Sequence, residues 1–319
     1  MTSQSDDPAT GVDQHCYRHP GAFAGVRCTR CDRPICPRCM TAASVGFQCP
    51  ECVSEGHRTV RQARTIYGGK VRPNASRMGP VTTTLIVVNV VLFFATSAGG
   101  LNFASGGGTS SLFVHLALIP PAVAHGQWYR LVTSMFLHFN VIHIAFNMYA
   151  LFLIGPPLEA ALGRVRYITL YFLAGIGGSI LSLLNGPIVS EAAGASGAIF
   201  GLFAAFYIVA RRQGWQTNAI VLTIALNLVL SFSFSSEIDW RGHVGGLIIG
   251  GAVMAILAYV PRGPQRNQIQ ALGIVAIAVV LAGAGFLGAH HVSSTCAKAE
   301  QAGTPTGGFC FAFDPPSGT

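Results

Sequence analysis

The chain has 319 residues, of which 51% are hydrophobic and only 10% carry a charge. A soluble domain has about 25% charged residues, so this composition excludes an ordinary soluble globular protein, and the 38 glycines favour closely packed membrane helices. The net charge of +8 fits either nucleic acid or a membrane surface as a partner, and its distribution along the chain decides between them.

The N-terminal part of the chain is polar and divides into three segments. Residues 1–14 are predicted to be disordered, residues 15–57 are rich in cysteine and histidine, and residues 58–80 form a basic linker. No apolar segment follows a basic start within roughly the first 30 residues, so we expect no cleaved secretory signal peptide.

The Cys/His-rich segment contains four pairs of candidate metal ligands, each with two residues between its members. This spacing lets both side chains of a pair bind one tetrahedral zinc ion, and the four pairs are enough for two structural zinc ions. A disulfide framework is the alternative, but the number of cysteines is odd and the topology given below places the segment in the reducing cytosol. His15 and His57 are further candidate ligands. In chain order the predicted pairs are Cys16 and His19, Cys28 and Cys31, Cys36 and Cys39, and Cys49 and Cys52.

This segment resembles B-box-type zinc fingers over residues 16–52. The resemblance implies a cross-braced arrangement, in which the first and third pairs hold one ion and the second and fourth pairs hold the other. Spacing alone also allows sequential pairing. Closed four-ligand sites leave no coordination position for a substrate, so the module is expected to be structural or to bind a cytosolic protein partner, with no metal in catalysis.

Seven apolar stretches follow the linker, each of roughly 18–20 residues, which is the length a helix needs to cross about 30 Å of hydrocarbon. The chain is therefore predicted to be an all-α polytopic membrane protein in a lipid bilayer. The second, fourth and sixth stretches begin with polar residues, so their starts are the least well defined. The predicted spans are 81–98, 136–155, 167–185, 194–210, 217–235, 242–260 and 271–289.

The Lys and Arg residues between the spans predict the orientation. With the N-terminus in the cytoplasm, the inner segments hold every basic residue except Arg130, Arg241 and Lys298, as the positive-inside rule requires. The positive charge is then explained by topology, and no nucleic-acid partner is expected.

The predicted localisation is a multi-pass protein of the cell membrane with a cytoplasmic N-terminus and an extracytoplasmic C-terminus. Residues 290–319 form the predicted extracytoplasmic tail. Cys296 and Cys310 lie in this oxidising compartment, where they either form a disulfide or remain free thiols.

Polar side chains inside membrane spans are costly and mark candidate functional positions. Spans two, four and six run in the same direction, so His143, Ser196 and His243 are expected at similar shallow depth near the outer surface. A serine close to a histidine provides the nucleophile and the base of acyl transfer. His143 and Asn147 are four residues apart and share a helix face, from which both can donate hydrogen bonds to an oxyanion. The backbone N–H of Ser196 is a third candidate donor.

Small residues predict that spans four and six approach closely. Glycines recur at four-residue spacing in both spans, beginning at Gly197 and at Gly242. Phe200 lies one turn after Ser196 and is predicted to pack against the imidazole of His243.

No carboxylate is clearly placed to orient this histidine. Glu191, Glu237 and Asp239 lie in outer loops, and nothing in the sequence fixes any of them near His243. The prediction is therefore a Ser–His dyad whose imidazole is held by packing.

Residues 80–262 resemble the rhomboid family of intramembrane serine proteases. In this family the serine of a Gly-x-Ser-Gly motif is the nucleophile, which implies that role for Ser196. The resemblance likewise implies His243 as the base, and His143 with Asn147 as the lining of the oxyanion site. Many members have tyrosine where this chain has phenylalanine one turn after the nucleophile. The supporting positions implied by the resemblance are Gly194, Gly197, His138, Phe200, Trp128 and Arg130, with Glu159 at a structural position.

The resemblance implies a "six plus one" fold. A rhomboid-like bundle of six transmembrane helices, residues 81–262, is followed by a seventh transmembrane helix over 271–289 and preceded by the small zinc-binding module. The implied function is cleavage of transmembrane protein substrates near the outer membrane surface.

Two other functions are alternatives to proteolysis. A non-catalytic scaffold or quality-control protein on the same fold predicts loss of Ser196 or His243, and both residues are present. A transporter is less compatible, because the spans lack charged residues at mid-membrane.

Overall fold

The computed structural model of the chain describes residues 15–59, 65, 67, 78–97, 110–235 and 238–311. The chain divides into two compact units, Met1–Ala63 and Arg64–Thr319. The segment predicted to be disordered and most of the predicted basic linker lie outside the described residues.

The described part of the first unit contains two short hairpins and one helix. Strands β1 (Val26–Arg27) and β2 (Pro34–Ile35) pair antiparallel, as do β3 (Thr41–Ala42) and β4 (Phe47–Gln48), and helix α1 (Pro50–Thr59) follows. The buried centre of this unit is made largely of cysteines. So small a core favours stabilisation by bound metal.

The second unit is helical throughout its described elements. Short helices and one 3₁₀ turn, Ser134–Phe136, lie between the first and second long helices. The helices are α2 (Pro80–Thr96), α3 (Ser111–Leu116), α4 (Pro120–Ala124), α5 (Arg130–Thr133), α6 (Val141–Leu162), α7 (Arg164–Asn185), α8 (Ser196–Arg212), α9 (Asn218–Ser233), α10 (Trp240–Tyr259), α11 (Arg266–Gln301) and α12 (Pro305–Phe311).

Seven helices correspond in position to the seven predicted spans, but their lengths differ from the prediction. Within the described residues, α6, α7, α10 and α11 are long and apolar enough to cross a membrane, and α2 and α9 are shorter apolar helices. Helix α8 has 17 residues, more than half of them buried. Hydropathy alone does not predict the first and last residues of these helices, because capping residues and turns, which are polar or small, determine where a helix begins.

The predicted second span illustrates this error. It was predicted to start at residue 136, but α6 starts at Val141, because Asn140 is its N-cap and accepts a hydrogen bond of 2.8 Å from the backbone N–H of His143. His138 therefore lies in the loop before the helix and not within a span.

The C-terminal part of the chain contains more helix than predicted. Helix α11 has 36 residues, about 54 Å at 1.5 Å per residue, and extends well past the predicted end at residue 289. Cys296 at its end forms a disulfide with Cys310 of α12. The described part of the predicted tail is thus mostly helical, and the disulfide, one of the two alternatives, is present.

Helices α7, α8 and α10 pack closely through glycine. A Cβ atom at Gly178 of α7 would lie 2.5 Å from the carbonyl oxygen of Gly242 in α10, and one at Gly197 of α8 would lie 3.1 Å from the same oxygen. A Cβ atom at Gly246 of α10 would overlap the backbone carbonyl of Gly197. Only glycine permits this spacing, which brings the first turns of α8 and α10 together.

Glu159 has the structural position that the resemblance implied. Its buried carboxylate accepts hydrogen bonds from the backbone N–H groups of Val81 (3.1 Å) and Thr82 (2.8 Å) and from the Thr82 hydroxyl (2.9 Å). The first N–H groups of a helix lack partners within the helix, so this carboxylate from α6 caps α2 and links the two helices.

Candidate active site

Ser196 is the first residue of α8, and the loop before it is tied to other parts of the unit. Gly194 has a φ of +141°, a conformation that favours glycine, and its N–H donates a hydrogen bond of 2.9 Å to the carbonyl of Ser134. Ala192 pairs with Leu118 through two backbone hydrogen bonds. The backbone on the N-terminal side of Ser196 is therefore fixed.

Gly194 also lies between His143 and Ser196, two of the predicted site residues. A Cβ atom at this glycine would lie 2.9 Å from Nε2 of His143 and 3.5 Å from Oγ of Ser196. The histidine nitrogen and the serine hydroxyl thus face one small space, which any other side chain at position 194 would fill.

His143 lies in the first turn of α6 and its ring is held by two neighbours. The ring stacks on Phe139, with centroids 6.0 Å apart, and meets the edge of His138 at 5.0 Å. Asn147 is buried one turn later, and its amide nitrogen donates to the carbonyl of His143 at 2.9 Å. An amide nitrogen carries two hydrogens, so one N–H of Asn147 remains available.

His243 lies in the first turn of α10, which faces the first turn of α8. Its buried imidazole stacks on the ring of Phe200, with centroids 4.3 Å apart and planes 12° from parallel. This is the contact expected from the position of Phe200 one turn after Ser196. The facing first turns and the stacked ring bring Ser196 and His243 to the same end of the helix pair.

Ser231 of α9 is a contact of this histidine that the sequence analysis missed. Its hydroxyl lies 2.7 Å from Nδ1 of His243 and 2.6 Å from the carbonyl oxygen of Asn227. Ser231 is the one buried residue of α9. Sequence gave no signal for it, because serines in apolar helices commonly bond to their own backbone, as Ser231 also does.

The outer-loop carboxylates have other contacts. Asp239 is the N-cap of α10, accepts a 3.2 Å hydrogen bond from the backbone N–H of Arg241, and also accepts one from the hydroxyl of Ser182. Glu191 is exposed, and residue 237 lies outside the described part of the chain. Among the described residues, the hydrogen-bond partner of His243 is therefore a hydroxyl and not a carboxylate.

The remaining supporting positions lie around this centre. Arg130 is buried and donates to the carbonyls of Val114 and Ala117, both at 2.6 Å, so it holds the end of α3. Trp128 is 41% exposed, and one of its ring atoms lies 3.8 Å from the Cβ position of Gly285 in α11. Arg130 thus contacts α3, and Trp128 contacts α11.

A separate candidate metal centre is found in the first unit. Its candidate ligands form two groups, and within each group the ligand atoms all lie within 4.8 Å of one another. Nδ1 of His19 faces the sulfur atoms of Cys36 (3.5 Å) and Cys39 (3.3 Å). The cross-braced arrangement is therefore present and sequential pairing is wrong. The groups are Cys16, His19, Cys36 and Cys39, and Cys28, Cys31, Cys49 and Cys52.

The electrostatics of these thiols fit a cation. Burial raises the pKa of Cys28, but backbone N–H groups, that of Cys49 first, outweigh burial and lower the pKa to about 6. Burial and the neighbouring thiols Cys16 and Cys36 raise the pKa of Cys39 to about 11. Ionisation of one thiol in a group thus disfavours ionisation of its neighbours, and a divalent cation at the centre of the group removes this repulsion.

His15 belongs to neither group, and the side chain of His57 is not among those described.

One protein family and several individual proteins are similar to this chain. Residues 125–260 match the Rhomboid domain family. The chain is 35% identical over 219 residues to Rhomboid protease GluP of Bacillus subtilis, a match that covers 66% of this chain and 41% of that protein, so it spans less than half of GluP. It is 31% identical to Rhomboid protease AarA of Providencia stuartii over 63% of this chain and 79% of that protein. It is 36% identical to Putative rhomboid protease YdcA of Bacillus subtilis over 42% of this chain and 69% of that protein.

Proposed function

We propose that this chain, which belongs to the rhomboid family, is an intramembrane serine endopeptidase that cleaves transmembrane protein substrates. The observation that carries the proposal is the convergence of Ser196, His143 and His243 at the start of the glycine-packed pair α8 and α10. A non-catalytic scaffold does not require the Ser196 hydroxyl to face Nε2 of His143 across a space that only glycine at position 194 leaves open.

In the proposed reaction, Ser196 is the nucleophile and His243 is the base. The hydroxyl oxygen attacks the scissile carbonyl while its proton passes to Nε2 of the imidazole, and the histidine then gives that proton to the leaving amine. Water hydrolyses the resulting acyl-enzyme by the same transfers in reverse.

Three donors are proposed to bind the oxyanion. They are the ring of His143, the uncommitted N–H of Asn147 and the backbone N–H of Ser196. The last belongs to the first residue of α8, where N–H groups have no partner within the helix and the helix dipole favours negative charge. Loss of one such donor costs about 3–4 kcal/mol of transition-state stabilisation in other enzymes.

Ser231 extends the dyad by fixing the tautomer of His243. A hydroxyl has one proton, and the Asn227 carbonyl can only accept, so the Ser231 proton goes to that carbonyl. The Ser231 oxygen then accepts the Nδ1 proton of His243, which leaves Nε2 unprotonated and able to act as base. Ser231 is thus proposed as a positioning residue.

Replacing Ser231 with alanine is expected to lower kcat about 10- to 100-fold with little change in KM, because the histidine then populates the wrong tautomer. Ser231→Thr, which keeps the hydroxyl, should restore most of the activity. Thr223→Val is the matched control, since Thr223 lies on the same helix and its hydroxyl also bonds to the helix backbone. A wild-type kcat in Ser231→Ala would contradict this role.

The metal centre is proposed to hold two structural zinc ions, because thiolate-rich tetrahedral ligand sets favour zinc. Zinc would supply the cross-links that hold the two hairpins and α1 together, and every ligand position of each ion would be filled by the chain. The expected cytosolic partner of this unit remains a prediction, which the exposed apolar side chains of Phe23 and Val45 support.

The proposed function is tested by the purified protein in liposomes with a model single-span substrate, with and without a strong chelator. We expect one cut in the outer part of the substrate span, release of two zinc ions per chain by the chelator, and an unchanged cleavage rate. Elemental analysis and fragment sequencing measure these outcomes. Cleavage that stops on chelation would favour a metalloprotease and overturn the assignment.

The orientation is proposed from the same charge distribution as before, with the N-terminus in the cytoplasm. Helices α6, α8 and α10 then enter the bilayer from the outer side, so Ser196 and His243 lie near the outer surface. The acceptance of substrates with small or helix-breaking residues follows, because a stable helix hides the carbonyls that Ser196 must attack.

A further inference from the structure

At the opposite end of the bundle, a cavity of about 300 Å³ lies between the ends of α8 and α10 and the start of α11. Helix α8 has 17 residues, which separates this end from Ser196 by about 25 Å. Its lining is therefore independent of the candidate active site. The lining residues are Tyr67, Arg212, Ala258, Tyr259, Val260, Pro261, Arg262 and Arg266.

Three arginines line this cavity without a carboxylate to balance them. Each of the eight lining residues is either uncharged or an arginine. The acidic residue nearest in sequence to Ala258 is Asp239, which lies at the other end of α10 and accepts hydrogen bonds from Arg241 and Ser182 there. Residues 60–77 and 260–270 contain no Asp or Glu at all. No carboxylate among the described residues that line the cavity therefore neutralises its positive charge.

Part of this charge has a structural explanation. One nitrogen of Arg212 donates to the carbonyl of Ala258, and one of Arg266 donates to that of Leu257 at 3.2 Å, so both cap the end of α10. The Arg212 guanidinium also lies 5.0 Å from the ring centre of Tyr259. Each guanidinium has five N–H donors, so capping uses only a small part of their capacity.

Two buried hydrogen-bond donors at this cavity have no partner among the described residues. The hydroxyl of Tyr67, on a side chain only 1% exposed, has no hydrogen-bond partner among the described residues, and neither has the buried Nε of Arg266. Buried donors without a partner are rare in folded proteins because each costs about 1–3 kcal/mol. Two of them line the same cavity, which also contains the exposed guanidinium of Arg262.

We propose that this cavity binds a phosphate-type oxyanion, either the headgroup of an anionic phospholipid or a soluble phosphate. Guanidinium groups form paired hydrogen bonds to phosphate oxygens, and a phenol hydroxyl adds one more donor. The site lies at the end of the bundle that holds most of the described basic residues of the second unit, where anionic headgroups accumulate if that end is cytoplasmic.

The experiment uses the full-length protein in neutral detergent with two probes. Native mass spectrometry counts bound phosphatidylglycerol against phosphatidylcholine, and thermal unfolding is followed during titration with inorganic phosphate. We expect saturable binding of at least one anionic probe, weakened at least tenfold in Arg262→Gln and measurably weakened in Tyr67→Phe. Binding of phosphatidylglycerol alone identifies a lipid site, and stabilisation by inorganic phosphate identifies a soluble oxyanion.

Arg211→Gln is the matched control, since Arg211 is the exposed neighbour of Arg212 and does not line the cavity. It removes the same charge and should bind like wild type. Equal weakening in Arg211→Gln and Arg262→Gln would reduce the effect to general surface charge and overturn the proposal. No binding of either probe by the wild-type protein would also overturn it. Size-exclusion chromatography of each variant separates lost binding from lost folding.

Discussion

Ser196→Ala is expected to abolish substrate cleavage while the protein stays folded. Loss of the nucleophile of a serine protease costs on the order of 10⁶-fold in kcat, which is below detection for a slow membrane enzyme. The change removes one oxygen from a half-buried side chain and leaves the glycine contacts of α8 with α10 intact. Cleavage of a single-span substrate in liposomes measures the loss, and thermal unfolding in detergent measures the fold.

Ser190→Ala provides a control in the same loop. Ser190 is half-buried and its hydroxyl donates to the nearby carbonyl of Pro187, so loss of this hydroxyl should leave cleavage unchanged. Substantial cleavage by Ser196→Ala, at more than about one-hundredth of the wild-type rate, would contradict the nucleophile assignment.

Gly246→Ala is expected to reduce both stability and activity. The new Cβ would overlap the carbonyl group of Gly197, and backbone atoms cannot move aside as a flexible side chain can. Overpacking of this kind costs about 1–3 kcal/mol of unfolding free energy. The rate should fall further, to about one-hundredth, because separating α8 from α10 by about 1 Å misplaces Ser196 relative to His243.

Gly251→Ala tests whether the effect is specific to this contact. Gly251 lies on the same helix, and its Cβ would meet Ala204 at 3.6 Å, an ordinary van der Waals distance. We expect near-wild-type unfolding temperature and cleavage for this variant. If Gly246→Ala matched it in both measurements, the close packing of α8 on α10 would not be what positions the two residues.

The sequence predicted the parts of this protein that depend on composition and spacing. Seven apolar stretches predicted seven helices in the right order, and the paired residues of the first unit predicted two groups of candidate metal ligands. Glycine spacing predicted the approach of α8 and α10, and the one-turn interval from Ser196 predicted the stacking of Phe200 on His243. Each of these follows from periodicity, which sequence shows directly.

The parts that escaped prediction depend on tertiary contacts. The start of α6 is set by the Asn140 cap, which hydropathy does not register, and so His138 was placed in a helix although it lies in a loop. The contact between Ser231 and His243 joins two helices, and its serine looks like any other in an apolar span. The arginine cavity likewise brings together the ends of three elements, with basic residues that had been interpreted only as topology signals.

The pairing of Ser196 with His243 is tested most directly by labelling with a serine-directed fluorophosphonate in liposomes, followed by peptide mass spectrometry. We expect one adduct, on the oxygen of Ser196, whose formation is lost in His243→Ala because the serine is no longer activated. An adduct on a different residue, or equal labelling of Ser196 in wild type and His243→Ala, would contradict the claim that this pair forms the catalytic centre.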